Sequence, residues 1–392
     1  MATQIIPGVQ YSGIWNLNSQ AGAQAAATWP SPPAFLYSWG VGVSGSGGSG
    51  SLGINNGTTN YSSPKQVGSL ATWSKLSSGS NENEMFFINR SGQLFGVGEN
   101  VNGQLGDNTT ISRSSPVQIG SGTTWAQATS AFSGSAAIKT DGTLWTWGRN
   151  NEGGAGQNDA ILRSSPTQVG SLTNWKKVVG GGGDALVALK TDGTLWGWGP
   201  GGNGSHGLND VVSRSSPVQI GALTTWSDFD FGDYNVGAIK TDGSLWVWGP
   251  NTYGNLGLSL TGVAARSSPV QVGSEYNWAK ISVGNAHMIA LKTDGTMWGW
   301  GENFGGQLGQ NSVVQFSSPV QIGALTSWSK IDSGARFVLA IKEGTLWGWG
   351  LNNGRTGTNT AGDISSPTQV GSLSSWIDIA GGGVQGYGIS SA

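Results

Sequence analysis

The chain's clearest regularity is an alternation of polar and apolar positions with period two, returning at near-constant intervals. The Trp-led stretches WKKVVG at residues 175–180 and WAKISV at 278–283 carry this alternation and read as strands, and each is followed by a second strand of the type GAIK (237–240) or IALK (289–292). A second strand of the GAIK type is joined to a run such as LWGWG by Asp-Gly, as in TDGTLWGWG at Thr191–Gly199. Asp-Gly between two β-prone runs is a strong hairpin signal, because the turn needs a positive φ that costs glycine nothing. The same period puts Trp196 and Trp198 on one face of their strand and Leu195, Gly197 and Gly199 on the other. A bulky indole face opposite a flat one needs a neighbouring sheet, and the next repeat supplies it.

SSPxQ[VI]G recurs at Pro64, Pro116, Pro166, Pro217, Pro269, Pro319 and Pro367, with separations of 52, 50, 51, 52, 50 and 48 residues. Each copy is followed by a strand-initiating tryptophan: Trp73, Trp125, Trp175, Trp226, Trp278, Trp328 and Trp376. Units of this length with three or four short strands predict propeller blades rather than solenoid coils. The chain ends in GYGISSA, the strand that should precede an Asp-Gly hairpin, and its repetitive part begins with FLYSWG (Phe35–Gly40), the strand that should follow one. The expected fold is therefore all-β, a seven-bladed β-propeller over residues 34–392. Its mixed closing blade pairs the N-terminal strand around Tyr37 with the C-terminal strand around Ile389. Residues 1–33 form an N-terminal extended arm, in which residues 19–27 are long enough for two helical turns.

Composition narrows the function classes. Charged residues make up 10% of the 392, while Gly reaches 68 and Trp 20, a vocabulary of strands and turns. A net charge of -2 without a Lys/Arg run lacks the footprint of a nucleic-acid or anionic-membrane binder. No apolar run is long enough to span a bilayer, and MATQIIPGVQ lacks the layout of a signal peptide. Without cysteine there is no disulfide, thiolate nucleophile or thiolate metal ligand. Asp141, Asp192, Asp242 and Asp294 each sit in an Asp-Gly hairpin, where aspartate favours the turn itself. His206 and His287 have no metal-ligand spacing, and Arg113, Arg163, Arg214 and Arg266 recur before SSP as a shared structural contact would. The reading is a non-enzymatic protein with no cofactor, no metal, no nucleic acid and no membrane insertion.

Comparing the repeats with one another separates constant from variable connections. The turn after SSPxQ[VI]G and the TDG turn barely change, whereas the loop after the first strand and the long loop from WG to SSP change freely. Alternate connections of a meander share a side, so the variable loops share one face of the ring. That face is expected to carry a binding surface of Glu82, Glu84, Phe132, Tyr234, Tyr253, His287, Phe304, Arg336, Phe337 and Tyr387, with Asn81 beside them.

The stretch Trp278–Gly309, WAKISVGNAHMIALKTDGTMWGWGENFGGQLG, resembles the repeat of the regulator of chromosome condensation family, and the resemblance extends over about residues 34–392. Members of that family form seven-bladed propellers. The best-known one is a nucleotide exchange factor that works through an inserted β-wedge, for which the spacing here leaves no room. The Gly/Ser string at 41–53 offers no charged or bulky side chain to replace that wedge. Another relative, a bacterial β-lactamase inhibitor protein, covers an enzyme with its propeller face. The resemblance implies binding without catalysis. In the arm, YSGIWNLNSQ followed by TWP resembles N-terminal segments of marine phage virion and tail-fibre proteins. This implies that Tyr11, Ile14, Trp15, Leu17 and Trp29 anchor the chain to other virion subunits or to further copies of itself. The propeller would then be displayed outside the cell, on the virion, toward a host surface protein or glycan. The alternative is a cytoplasmic protein-binding regulator or enzyme inhibitor that acts through the variable face.

Overall fold

A computed structural model describes residues 31–42, 50–55, 59–77, 84–259 and 265–391. Twenty-eight strands, β1 to β28, lie in seven antiparallel four-stranded sheets, and the described residues contain no helix. Blade 1 is β3–β6 (Trp73–Leu76, Glu84–Asn89, Leu94–Gly98, Arg113–Gln118), and blade 2 is β7–β10 (Trp125–Ser130, Gly134–Lys139, Leu144–Gly148, Arg163–Gln168). Blade 3 is β11–β14 (Trp175–Gly180, Leu186–Lys190, Leu195–Gly199, Arg214–Gln219), and blade 4 is β15–β18 (Trp226–Phe231, Val236–Lys240, Leu245–Gly249, Arg266–Gln271). Blade 5 is β19–β22 (Trp278–Val283, His287–Lys292, Met297–Gly301, Phe316–Gln321), and blade 6 is β23–β26 (Trp328–Ser333, Phe337–Lys342, Thr345–Gly350, Ile364–Gln369). The closing blade has the order β2-β1-β28-β27, taking β1 (Ala34–Gly40) and β2 (Tyr61–Gln66) from one end of the chain and β27 (Trp376–Gly381) and β28 (Gln385–Ser391) from the other. Leu36 pairs with Ile389 and Tyr37 with Gly388, as the split repeat predicts.

The indole face of each blade packs on the flat face of the blade before it. Trp226 and Trp248 of blade 4 are buried against Val187, Leu189 and Leu195 of blade 3. Each buried indole removes roughly 150–250 Å² from water, about 4–6 kcal/mol gross, so blade contacts dominate stability. The indole N–H is satisfied across the same boundary. Trp147 donates to the Gln104 carbonyl (2.7 Å), Trp198 to Gly154 (2.9 Å), Trp248 to Ser205 (2.8 Å) and Trp349 to Gln307 (3.0 Å). At the seam Trp39 donates to Arg355 (2.8 Å), so β1 is tied to blade 6 as well as to β28. The accepting loop comes close enough to require glycine: a Cβ on Gly156 would lie 2.8 Å from the Trp198 indole nitrogen, and one on Gly106 2.8 Å from that of Trp147.

Blade 1 departs from this scheme, having Val97 where its neighbours place a tryptophan. Tyr387 of the closing blade takes up the role. It is buried against Phe87 at a ring distance of 5.8 Å, and its hydroxyl donates to the Ser51 carbonyl at 2.6 Å.

The innermost strand of each blade is a sheet edge, and an edge leaves backbone groups without partners. Here the preceding blade's side chains fill that need. Gln127 of β7 both donates to the Val178 carbonyl (2.8 Å) and accepts from the Val178 N–H (3.1 Å). Thr129 accepts from Gly180, Asp230 from Val283, Ser282 from Ser333, Asp332 from Gly381 and Asp378 from Leu76.

Ahead of β1, the Arg90 guanidinium donates to the Ser31 and Pro32 carbonyls, and Ala34 N–H donates to Ala71 (2.8 Å). The anchoring residues Tyr11, Ile14, Trp15, Leu17 and Trp29, the helical turns expected at 19–27, and Asn81 and Glu82 lie outside the described residues.

Candidate functional site

The two ends of the ring differ chemically. At one end, Asp-Gly hairpins dock under the turn of the following blade, as in the Trp175 N–H donating to Gly142 (3.1 Å). Asp141 accepts from the Thr143 N–H (3.0 Å) and hydroxyl (2.7 Å), and the Thr143 hydroxyl accepts from the Trp145 indole (2.8 Å). The Thr143 bonds hold the Asp141 carboxyl below its ordinary pKa, and Asp192, Asp242 and Asp294 are held down by the same pattern. These four carboxylates are turn-builders. Lys139 lies 3.7 Å from the Trp145 ring centre, a cation–π contact repeated by Lys190, Lys240 and Lys292.

The other end collects the first-strand loops and the WG-to-SSP loops. The latter do not vary along their whole length: their first half is a wedge inserted between blades and folded around a buried asparagine. Asn150 accepts from the Ala155 N–H and donates to Asp159 O and Oδ1, and Asn303 plays the same part for Leu308. Arg113, Arg163 and Arg214 pair with Asp107, Asp159 and Asp210 of their own loops, at 2.5, 2.7 and 2.6 Å. His206 is buried in such a wedge, its Nε2 2.9 Å from the Val212 carbonyl.

Of the ten residues expected on this face, four are not presented. Glu84, His287, Phe337 and Tyr387 are buried. The connecting turns are shorter than the sequence suggests, so these side chains already belong to β4, β20, β24 and β28, on whose alternating faces they point into the core. Phe132 and Phe304 are 50% and 58% exposed, and Tyr234 and Tyr253 are half-buried. Tyr253 and Phe304 meet edge to face at 5.7 Å, and the exposed Arg336 pairs with the buried Glu302 at 3.1 Å.

Phe132 and Tyr234 instead line a cavity of about 340 Å³ where the loops of blades 2, 3 and 4 converge. Its floor contains Gly154, Gly182, Gly183 and Gly202, and its charged lining is Arg149, Glu152 and Asp184, three residues that sequence reasoning missed. The glycine run of blade 3 admits the loop of blade 4. A Cβ on Gly182 would lie 1.8 Å from an Asp233 oxygen, and one on Gly183 2.8 Å from the Tyr234 ring. Asp184, at φ 60°, accepts the Ser133 N–H at 2.6 Å and faces Arg149 at 3.8 Å. Burial raises the Asp184 carboxyl above its ordinary pKa, and burial with Asp233 and Asp184 raises the Tyr234 phenol.

The axial channel, about 390 Å³, is the other concentration of charge. Its lysines are spent on neighbouring blades: Lys177 pairs with Asp228 at 2.7 Å, Lys330 pairs with Asp378, and Lys280 donates to Ser329. Asp332 is pushed up to about 7, first by its enclosure in the channel wall and then by the Asp230 charge. The folded state therefore holds this proton more tightly than the unfolded chain, and the stability it lends is complete below about pH 4 and lost as pH rises through 7. Asp332→Asn, which keeps an acceptor for Gly381, is expected to raise the Tm above that of the parent protein, and by more at pH 8 than at pH 5, checked by calorimetry of both proteins at both values.

Residues 91–138, 141–188, 242–291 and 294–341 match the regulator of chromosome condensation (RCC1) repeat, and 278–307 match a second form of it. The chain is built of RCC1 repeats. Human WBSCR16 shares the fold with a TM-score of 0.80 at 18% identity, over 92% of this chain and 99% of that one. Saccharomyces cerevisiae Prp20p, described with its binding to Gsp1p and histones, has a TM-score of 0.78 at 18% identity, over 92% of both chains. Yeast RCC1 (Prp20) bound to Kap60 gives 0.79 at 17%, over 100% of this chain and 96% of that one. No curated protein sequence is significantly similar to this one. Identities at this level establish the seven-bladed fold and leave function to the site. Among the described residues no helix is long and apolar enough to cross a membrane, and no group of three or more His, Asp or Glu could hold a metal.

Proposed function

We propose that this RCC1-repeat protein is a non-catalytic protein-binding module that engages its partner through the variable-loop face. The observation that carries this reading is the exposure of Phe132 and Phe304 beside Tyr234 and Tyr253, on loops held by a rigid ring. Half-exposed aromatics on a fixed scaffold bind with little loss of conformational entropy. Protein partners of Prp20p agree with the reading, which favours a cellular regulator or inhibitor. Display on a phage particle rests on the arm motif YSGIWNLNSQ alone.

The test compares two double variants as baits against cell extract. Phe132→Ala with Phe304→Ala alters the variable face; Leu223→Ala with Leu325→Ala alters exposed positions on the opposite face. The first is expected to lower recovery of a specific partner at least about tenfold, a loss typical of hot-spot aromatics, and the second to leave it unchanged. The reverse pattern overturns the assignment. Mass spectrometry of purified particles tests the virion reading separately.

A further inference from the structure

We propose that the pocket between blades 2, 3 and 4 receives a single cationic side chain, a guanidinium or alkylammonium, carried by the protein partner. This deepens the protein-binding reading and rests on it. The cavity, about 340 Å³, lies at the small end of ligand sites and suits one long side chain rather than a folded surface. Two aromatic side chains line it. Tyr234 is held in place, because its ring lies where a side chain on Gly183 would go, while Phe132 stands half exposed. Aromatic faces attract cations, and the attraction grows as water is excluded.

Charge gives the sign of the occupant. The lining carries Asp184 and Glu152 against Arg149 alone, and Asp233 packs against Gly182 of the floor. Arg149 offsets Asp184 only in part: the guanidinium stands 3.8 Å from Oδ2, an ion pair too long for a hydrogen bond, and its own side chain is substantially exposed. Oδ1 accepts the Ser133 N–H at 2.6 Å, and Oδ2 is the oxygen that faces Arg149. Among the first-strand loop residues described, Asp184 is the one non-glycine with positive φ, a conformation that aspartate tolerates better than most residues and that holds its carboxyl between blades 2 and 3. An anionic ligand would meet these carboxylates at close range, whereas a cation gains from both the carboxylates and the rings.

Gly202 provides a clean way to close the pocket. It lines the cavity, a Cβ there would touch nothing within 4 Å, and its φ lies outside the left-handed region. The experiment titrates the full chain with N-acetylarginine amide, N-acetyl-lysine amide, N-acetylglutamate amide and methyl glucoside, followed by saturation-transfer NMR. Saturable binding of the two cations, on the order of millimolar as single-side-chain ligands reach, is expected, with none for the anion or the sugar. Gly202→Trp should abolish that binding, and Phe132→Ala should weaken it about fivefold. Circular dichroism confirms that both variants are folded. Equal binding of the anion or the sugar, or cation binding indifferent to Gly202→Trp, overturns the proposal. If the partner recovered by pull-down is lost with Phe304→Ala alone but unaffected by Gly202→Trp, the protein-binding reading stands and this one falls.

Discussion

Deleting Ala34–Gly40 is expected to abolish the cooperative unfolding transition of the whole ring. Strand β1 lies between β2 and β28, so its loss breaks both ladders of the closing blade and leaves β28 as an open edge. It also removes Trp39, which is fully buried among Phe337, Leu339 and Trp376 and donates to Arg355 of blade 6. The single change Trp39→Ala isolates the packing part and should cost about 3–5 kcal/mol, the usual range for emptying a large aromatic site in a core. Chemical denaturation followed by tryptophan fluorescence measures both. A deletion variant with an unchanged midpoint and slope would show that the remaining blades stand without closure.

His287→Phe is expected to stabilise the protein, and to do so more strongly in acid. His287 is 0% exposed, and neither ring nitrogen has a hydrogen-bond partner among the protein groups. Burial, helped by the Arg336 charge, lowers its pKa to about 3. The unfolded chain takes up this proton near the ordinary histidine value and the folded chain only near 3. Stability is therefore present above about pH 6.5 and drains away as pH falls, by about 2 kcal/mol at pH 5. The equivalent position of blade 6 shows that phenylalanine fits. Phe337 lies over Gly334 as His287 lies over Gly284, each ring 2.1 Å from where a glycine Cβ would be. Removing the unpaired nitrogens should add about 1–2 kcal/mol at pH 7 and more at pH 5, read from urea midpoints at the two pH values. Parallel pH profiles for the two proteins would sink this account.

The ring itself was legible because its information is repeated. Strand period, hairpin signals and the split repeat at the two ends all specify one register, and Leu36 opposite Ile389 is where that register puts it. His287 and Phe337 were misassigned for a reason also present in the sequence. They stand four residues before Leu291 and Ile341, an even offset, so period two places them on the same face as those core residues. The stretches 284–289 (GNAHMI) and 334–339 (GARFVL), which follow the first strands of blades 5 and 6, run from a turn into β20 and β24, and the strand's alternation outweighs the resemblance to a loop. Tyr387, two before Ile389, follows the same rule. The pocket was beyond this kind of reading. Arg149, Asp184 and Tyr234 belong to three different blades, and the glycine run 180–183 gave no sign that it makes room for the loop of blade 4. Nothing in a period carries the distance between neighbouring loops.

The closing blade also fixes which way the molecule faces. Ala34 and Ser391 are paired directly, at the end of the sheet where the Asp-Gly hairpins lie, and Arg90, in the corresponding Ser91-Gly92 turn of blade 1, grips the segment just ahead of β1. Entry and exit of the chain thus share the constant face, and the variable loops occupy the opposite pole. A tether joined directly ahead of β1 or after β28 therefore orients the ring like a dish on a mast, its loop-bearing surface turned away from the support. For surface immobilisation, an affinity handle or fusion partner placed after β28, or joined at Ala34 in place of the residues ahead of it, is expected to leave the Phe132 and Phe304 surface open to solution.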